Sequence, residues 1–144
     1  LEEMNRILKK KGKLIIFEPY CSIIFQIITF IMKHEGFDFT VNVWEDKKPA
    51  SDELDAWSGN VAVTHKIFDK KTKFEEKLGK YFDMKYEKKT ECFIFLNSGG
   101  VTSKTFYIPL NYFFIRILDF IDTLLVKAFP SIFCLGRRIV LVKK

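Results

Sequence analysis

The feature that most constrains the fold of this chain is a short, unbroken apolar run near its start. Leu14 to Phe17 contains no polar residue, and Glu18 and Pro19 end the run. Apolar residues also recur at helical spacing before Gly12, at Leu1, Met4, Ile7 and Leu8. A continuous apolar run is typical of a strand covered on both faces, as in a parallel sheet. The sequence therefore predicts half of an α/β unit, and we expect the neighbours of this strand upstream of Leu1.

Length and composition describe one folded unit. The chain has 144 residues, of which 48% are hydrophobic and 29% charged, which suits a single domain with a buried core and excludes disorder. The net charge of +6 could attract anions such as nucleic acid or phospholipid headgroups. Because the lysines cluster in turns and at strand ends, solvated surface is the simpler interpretation.

The cysteines and the longest apolar segments bear on the compartment. Cys21, Cys92 and Cys134 lie far apart without a Cys-x-x-Cys pair, which predicts neither a disulfide framework nor a zinc site and favours the cytoplasm. Pro19 to Met32 is shorter than the roughly 20 residues of a membrane-spanning helix, and charges interrupt Ile108 to Phe129. We therefore expect no transmembrane segment, although peripheral membrane contact stays open.

Periodicity predicts the remaining elements. Helical patterns indicate a helix at Ile23 to Met32, a helix from the cap Ser51 to Phe68, a short helix at Phe74 to Leu78 and an amphipathic helix at Asn111 to Ala128. Two strands at Phe82 to Tyr86 and Cys92 to Leu96 should form a hairpin, and Arg137 to Lys143 should form a final strand. The last helix should bury Leu110, Phe114, Ile117, Leu118, Ile121, Leu124 and Leu125.

A family resemblance begins in the opening segment. Arg6 to Pro19 resembles the helix, turn and fifth strand of S-adenosylmethionine-dependent methyltransferases with the Rossmann-like fold, which often have Arg-x-Leu-Lys-Pro-Gly-Gly here. Lys10 and Lys11 replace the usual Pro and first Gly, and Gly12 is retained. The resemblance extends over nearly the whole chain through the ordered segments Glu18-Pro19, His34-Glu35, Asn60 to Ala62, Ser98 to Gly100 and a closing apolar strand.

This resemblance implies an α/β fold class: the C-terminal part of a methyltransferase sheet, with the fifth strand, terminal antiparallel strands and a helical cover. Residues 1–144 would form one unit without the N-terminal half that binds S-adenosylmethionine, and the segment alone would be inactive. That cofactor is normally held by a glycine-rich turn after the first strand and an acidic residue after the second. Neither feature occurs in the chain, so we predict no cofactor-binding residue here.

The resemblance also implies transfer of a methyl group to a small-molecule or biosynthetic-intermediate acceptor. It makes His34 and Glu35 the predicted catalytic residues, because the similar branch of the family often carries a His-Glu element here. An imidazole near neutral pKa could take a proton from a hydroxyl acceptor, and a carboxylate could orient it. Adjacent helical residues do not face each other, so this pairing requires a helix break. The alternative is an imidazole favoured by a helix C-terminus.

Four further residues are predicted to bind substrate: Glu18, Tyr20, Asn60 and His65. Glu18 and Tyr20 follow a strand end, where ligands bind in open α/β sheets. The alternatives are a solvated carboxylate, a packed tyrosine, a helix irregularity beside Gly59 and a hydrogen-bonded core histidine. We predict no metal, because nothing in the spacing of His34, His65 and Glu18 is diagnostic of a metal site.

A second hypothesis makes the chain a noncatalytic binding module. Its basic turns and the helix at Asn111 to Ala128 would then contact a protein partner or an anionic membrane surface. We expect no nucleic-acid partner, since no basic stripe interleaved with exposed aromatic residues can be assigned. The sequence leaves the oligomeric state open, although an exposed strand edge favours self-association.

Overall fold

A three-stranded sheet forms the centre of the structure, a computed structural model that describes residues 1–32, 36–45, 59–98 and 107–144. The strands are β1 (Lys13–Pro19), β2 (Phe82–Thr90) and β3 (Gly136–Lys143), in the order β1-β3-β2. Because β3 is antiparallel to both neighbours, β1 and β2 run parallel to each other. The structure therefore confirms that the chain combines helices and strands in a mixed α/β fold.

Helices follow and precede these strands. Those in the described ranges are α1 (Glu2–Ile7), α2 (Ile23–Met32), α3 (Ala62–Phe68), α4 (Lys71–Leu78), α5 (Phe93–Asn97), α6 (Tyr112–Ala128) and α7 (Pro130–Phe133). The predictions of α1, β1, α2, α4, α6 and β3 are confirmed, with shifts of a few residues at the ends.

The turn between α1 and β1 depends on Gly12. A Cβ atom at this position would lie 2.7 Å from the Lys9 carbonyl oxygen, and Lys11 already has a positive φ of 62°. The Gly12 amide donates to that same Lys9 oxygen at 2.8 Å. A residue without a side chain is therefore needed where the helix turns back into the sheet.

The predicted hairpin is wrong. Strand β2 continues through the expected turn to Thr90 and pairs along its length with β3, while Cys92 to Leu96 falls largely in α5. The distant strand β3 offers β2 a longer hydrogen-bonded ladder than a local hairpin partner could, and the chain leaves the sheet at Glu91, whose φ is 65°.

Helix α5 is held by a carboxylate from another helix. Asp122 of α6 is buried and accepts hydrogen bonds from the backbone amides of Cys92, Phe93 and Ile94 at 2.9 to 3.0 Å. These amides at the start of a helix have no carbonyl partner within it. A short apolar segment thus becomes helical through a tertiary contact.

The predicted helix from Ser51 to Phe68 is described only in part. Ser51 lies outside the described residues, and α3 begins at Ala62. Asn60, which that helix would have included, forms an isolated parallel bridge with Gly36. Here a backbone pairing with a distant segment competes with the helical pattern.

Among the described residues, one of two core clusters lies on one face of the sheet, and the other contains Tyr20, Phe25 and Val126. Ile139 and Leu141 of β3 pack with Phe68, Phe74 and Leu78 of α3 and α4. On β1, Leu14 and Ile16 join this cluster, whereas Ile15 and Phe17 point to the other face and are 73% and 50% exposed. The expectation that β1 is covered on both faces therefore does not hold for this structure.

The predicted buried side of α6 is only partly right, since Leu118 and Leu125 are half-buried. Its buried residues are Asp122 and Val126, while Phe114, Ile117, Ile121 and Leu124 are exposed. The reason is that α5 and α7 pack against the side carrying Asp122 and Val126. No helix in the described ranges combines the length and apolar character needed to cross a membrane.

We expect Asp122→Ala to lower the free energy of unfolding by about 3 kcal/mol, because it leaves backbone amides at the start of α5 without an acceptor. Urea denaturation measures the change. Asp119→Ala is the matched control, since Asp119 is an exposed aspartate of the same helix and its loss should cost about 0.5 kcal/mol or less. Equal losses in the two variants would contradict the capping role.

Candidate functional site

Charged side chains gather on the covered face of the sheet, where β1 and β2 end and β3 begins. Glu18 of β1 and Lys89 of β2 lie opposite Arg137 of β3 on its two sides. Ligands in open α/β sheets bind beyond the carboxyl ends of parallel strands. This polar end of the sheet is therefore the candidate site.

A bulge in β2 determines which side chains face this site. The pairing with β3 shifts between Met84 and Tyr86, so one extra residue is accommodated there. Side chains of β2 alternate between the two faces of the sheet, and the extra residue shifts this alternation by one position. Glu87 and Lys89 therefore lie on the covered face, while Tyr86 is exposed. Bulges are used in this way to re-aim side chains.

Arg137 is the centre of the site and is only 1% exposed. Its guanidinium forms an ion pair with the Asp69 carboxylate, Nη1 donates to the Thr64 carbonyl oxygen at 3.4 Å, and Nε lies 3.5 Å from Glu87 Oε1. Burial lowers the pKa of Arg137, and the nearby Tyr20 opposes that effect. An arginine remains charged in proteins, so the site contains a buried cation held by carboxylates.

Tyr20 lies between two cations. Its ring centroid is 4.7 Å from Arg137 Cζ and 4.3 Å from Lys89 Nζ, and Lys89 also donates a hydrogen bond to the Tyr20 hydroxyl at 2.9 Å. These distances suit cation–π attraction in a partly desolvated setting. Tyr20 is buried, so its interactions fix the start of the loop after β1.

His65 of α3 contributes an imidazole beside Asp69. Its Nδ1 lies 2.7 Å from Asp69 Oδ2, but the ring is not aligned for a hydrogen bond with that oxygen. Burial lowers the pKa of His65 from its ordinary 6.5, and the positive charges of Arg137, Lys89 and Lys70 lower it further. The Asp69 carboxylate beside the ring is already bound by Arg137.

A cavity of about 460 Å³ adjoins His65 and Asp69. On one side it is lined by the segment Phe39 to Trp44, which we call the cavity loop. On the other side it is lined by α3, α4 and their junction, through His65, Lys66, Asp69, Lys70 and Lys73. Its volume is in the range of small-molecule sites.

Asn60 holds the base of the cavity loop. Its side-chain amide accepts from the Asp38 amide at 3.0 Å and donates to the Asp38 carbonyl at 2.8 Å. Farther along, Lys66 Nζ donates to the Val41 carbonyl oxygen at 2.6 Å. Asn60 thus has a positioning role, and a contact between Asn60 and substrate remains a prediction.

The structure brings together three of the predicted site residues: Glu18, Tyr20 and His65. Asn60 supports the neighbouring loop, and the predicted catalytic residues His34 and Glu35 lie outside the described residues. Within the described part of the chain, no group of three or more histidine, cysteine, aspartate or glutamate side chains could hold a metal ion.

Sequence reasoning missed four members of the site: Asp69, Glu87, Lys89 and Arg137. One signal was present, because Asp69 follows His65 by four positions and therefore shares its helical side. Glu87 and Lys89 gave no usable signal, since their orientation depends on the bulge.

The fold and site define a mixed α/β protein with a charged cluster at the carboxyl ends of two parallel strands. No protein-family model, curated protein or solved structure matches the chain.

We expect Arg137→Met to lower the free energy of unfolding by about 3 kcal/mol, because it leaves the largely buried carboxylates of Asp69 and Glu87 without their cation. Chemical denaturation measures the loss. Arg138→Met is the matched control: Arg138 is half-exposed, and its ion pair with Glu91 should contribute less than about 1 kcal/mol. A smaller loss for Arg137→Met than for Arg138→Met would contradict the central role of Arg137.

Proposed function

We propose that the chain is the C-terminal part of a Rossmann-like methyltransferase, which moves a methyl group from S-adenosylmethionine to a small-molecule or biosynthetic-intermediate acceptor. The observation that carries the proposal is the sheet order. In the fold that the opening segment resembles, β1 corresponds to the fifth strand and the chain ends in antiparallel pairing. The antiparallel β3 between the parallel β1 and β2 is compatible with that arrangement.

The position of the charged cluster supports the same proposal. It lies at the carboxyl ends of β1 and β2, where an α/β enzyme would bind its ligands. Methyl transfer requires the acceptor to be held in line with the methyl group and shielded from water. The cavity beside His65 offers a partly enclosed space for such an acceptor.

The described residues do not fit the cofactor itself. The glycine-rich turn that holds this cofactor follows the first strand of such a sheet, whereas β1 corresponds to the fifth, and after it Tyr20, Cys21 and Ser22 lead directly into α2. We therefore assign the binding of S-adenosylmethionine to residues upstream of this chain and derive no step through it. The chain presented here would supply the acceptor side of the site.

Proton transfer is needed only if the acceptor must lose a proton. The imidazole of His65 borders the cavity, its pKa is lowered by burial, and it could accept a proton from a hydroxyl group. His34 and Glu35 stay the proposed catalytic pair by resemblance. Either histidine would then act on the acceptor and leave cofactor binding unchanged.

The test uses the protein expressed from its complete reading frame. We expect calorimetric titration to detect binding of S-adenosylmethionine to it, and no binding to residues 1–144 alone. His34→Gln and His65→Gln should each leave the affinity for S-adenosylmethionine unchanged. The variant that no longer transfers labelled methyl groups to small-molecule extracts identifies the histidine that takes part in catalysis. Absence of binding at millimolar cofactor would exclude the methyltransferase assignment, and unchanged turnover would remove that histidine from the mechanism.

A second candidate, the noncatalytic module, is favoured by the exposed side of α6. Phe113, Ile117, Phe120 and Leu124 recur at spacings of three and four and are all exposed, so α6 presents an apolar stripe to solvent. Arg116 and Lys127 lie on the same helix. An apolar stripe with basic residues is typical of helices that lie on anionic membranes.

Vesicle flotation separates this candidate from the first. If α6 binds membranes, the chain should float with vesicles containing anionic lipid, and Phe120→Ser should reduce the floating fraction severalfold. Phe30→Ser is the control, because Phe30 is a highly exposed phenylalanine on α2. Absence of flotation, or equal loss in both variants, would exclude α6 as the membrane contact.

A further inference from the structure

The cavity beside His65 carries an excess of positive charge. Lys66, Lys70 and Lys73 line it, and Asp69 is its one acidic residue among the described lining residues. The Asp69 carboxylate is bound by Arg137, which is itself a cation. The acid therefore does not neutralise the lysines, and an anion entering the cavity would meet an attractive potential.

The lysines have capacity for such an anion. Lys70 and Lys73 are exposed and form no ion pair within the described residues. They are three positions apart at the start of α4, so their side chains can reach the same ligand. Lys66 uses one donor on the Val41 carbonyl oxygen, and an ammonium group has three.

The opposite wall of the cavity is apolar and held in place. Phe39, Val41, Val43 and Trp44 contribute to it, and Trp44 also packs against the core cluster that contains Ile139 and Leu141. The hydrogen bonds of Asn60 and Lys66 described above tie this wall to the rest of the fold. A preformed wall of this kind lowers the cost of ordering the site around a ligand.

We propose that this cavity binds an organic phosphate: an apolar, ring-sized body against Phe39 and Trp44, with its phosphate group between Lys70 and Lys73. Lysine binds phosphate as a point charge and needs no fixed fork geometry, which suits side chains that converge from an exposed helix start. Calling this ligand the methyl acceptor rests on the proposed function, whereas the binding itself does not.

The position of His65 gives the proposal a further consequence. Its ring lies edge-on to Phe39 at 5.9 Å between centroids, so it borders the apolar end of the cavity. A ligand with its phosphate at the lysines would present its other end toward His65. The reacting group of an acceptor would therefore lie opposite its phosphate.

The test uses Trp44 as a reporter in the chain of residues 1–144. The chain has two tryptophans, Trp44 and Trp57, so Trp57→Phe leaves a single indole N–H signal in the proton–nitrogen NMR spectrum. The probes are phenyl phosphate, inorganic phosphate and phenol. We expect phenyl phosphate to shift the Trp44 signal saturably and to bind more tightly than either of its parts.

The lysines are tested in the same spectrum. Replacing both Lys70 and Lys73 by Gln should weaken phenyl phosphate binding about tenfold, as expected for the loss of two partly exposed ion pairs. Lys71→Gln is the matched control, because Lys71 lies between them in sequence but does not line the cavity. It should weaken binding less than about twofold, and unchanged signal dispersion would show that each variant is folded.

Three outcomes would overturn the proposal: no saturable shift of Trp44, equal weakening by Lys71→Gln, or equal affinity for phenyl phosphate and inorganic phosphate. These are distinct from failure of the proposed function. Phenyl phosphate binding by residues 1–144, together with no cofactor binding by the complete protein, would leave an organic-phosphate site in a protein that is not a methyltransferase. Cofactor binding without phenyl phosphate binding would retain the methyltransferase and overturn this ligand.

Discussion

The ion pair of Arg137 with Asp69 is the contact on which the arrangement of this site depends. A guanidinium removed from water has a large desolvation cost, which only well-placed carboxylates and carbonyl oxygens can offset. Asp69 follows α3, Glu87 comes from β2, and the Thr64 carbonyl belongs to α3. One cation thus determines how the covering helix is placed over the sheet and where Tyr20 and His65 lie.

The same ion pair separates two electrostatic environments. On the sheet side, Arg137 is surrounded by acidic and aromatic groups. On the solvent side, Asp69 lines the cavity, but its carboxylate is already paired with Arg137. It therefore does not neutralise the positive charges of the lysines there. A buried pair of this kind is weak evidence for stability by itself. Its importance here is that the charge of Arg137 is balanced in the interior by carboxylates, while the neighbouring cavity keeps an excess of positive charge.

The sequence predicts those parts of the fold that depend on local pattern. The apolar run of β1, the helical spacing of α2 and the closing strand β3 can each be recognised without knowledge of their neighbours. The end of β2 cannot, because its length follows from pairing with β3 far along the chain. Helix α6 is apolar on most sides, so only the capping contact of Asp122 selects the buried one. In the site, Glu18, Tyr20 and His65 could be proposed from their places in the sequence. The other charged residues could not, because the bulge in β2 and the pairing register of β3 bring them to the site, and no local pattern encodes either. These residues are Glu87, Lys89 and Arg137.

The central position of β3 has a consequence for folding. Within the described residues, β1 and β2 do not pair with each other, and each is joined to the sheet through β3, which follows both of them in sequence. Neither strand can complete its ladder until that segment has been synthesised and inserted between them. Because contacts between distant residues form slowly, we expect sheet and site to assemble late and together. The residue that organises the charged cluster thus arrives after both neighbouring strands, so a nascent chain has no partly built site before the sheet itself is closed.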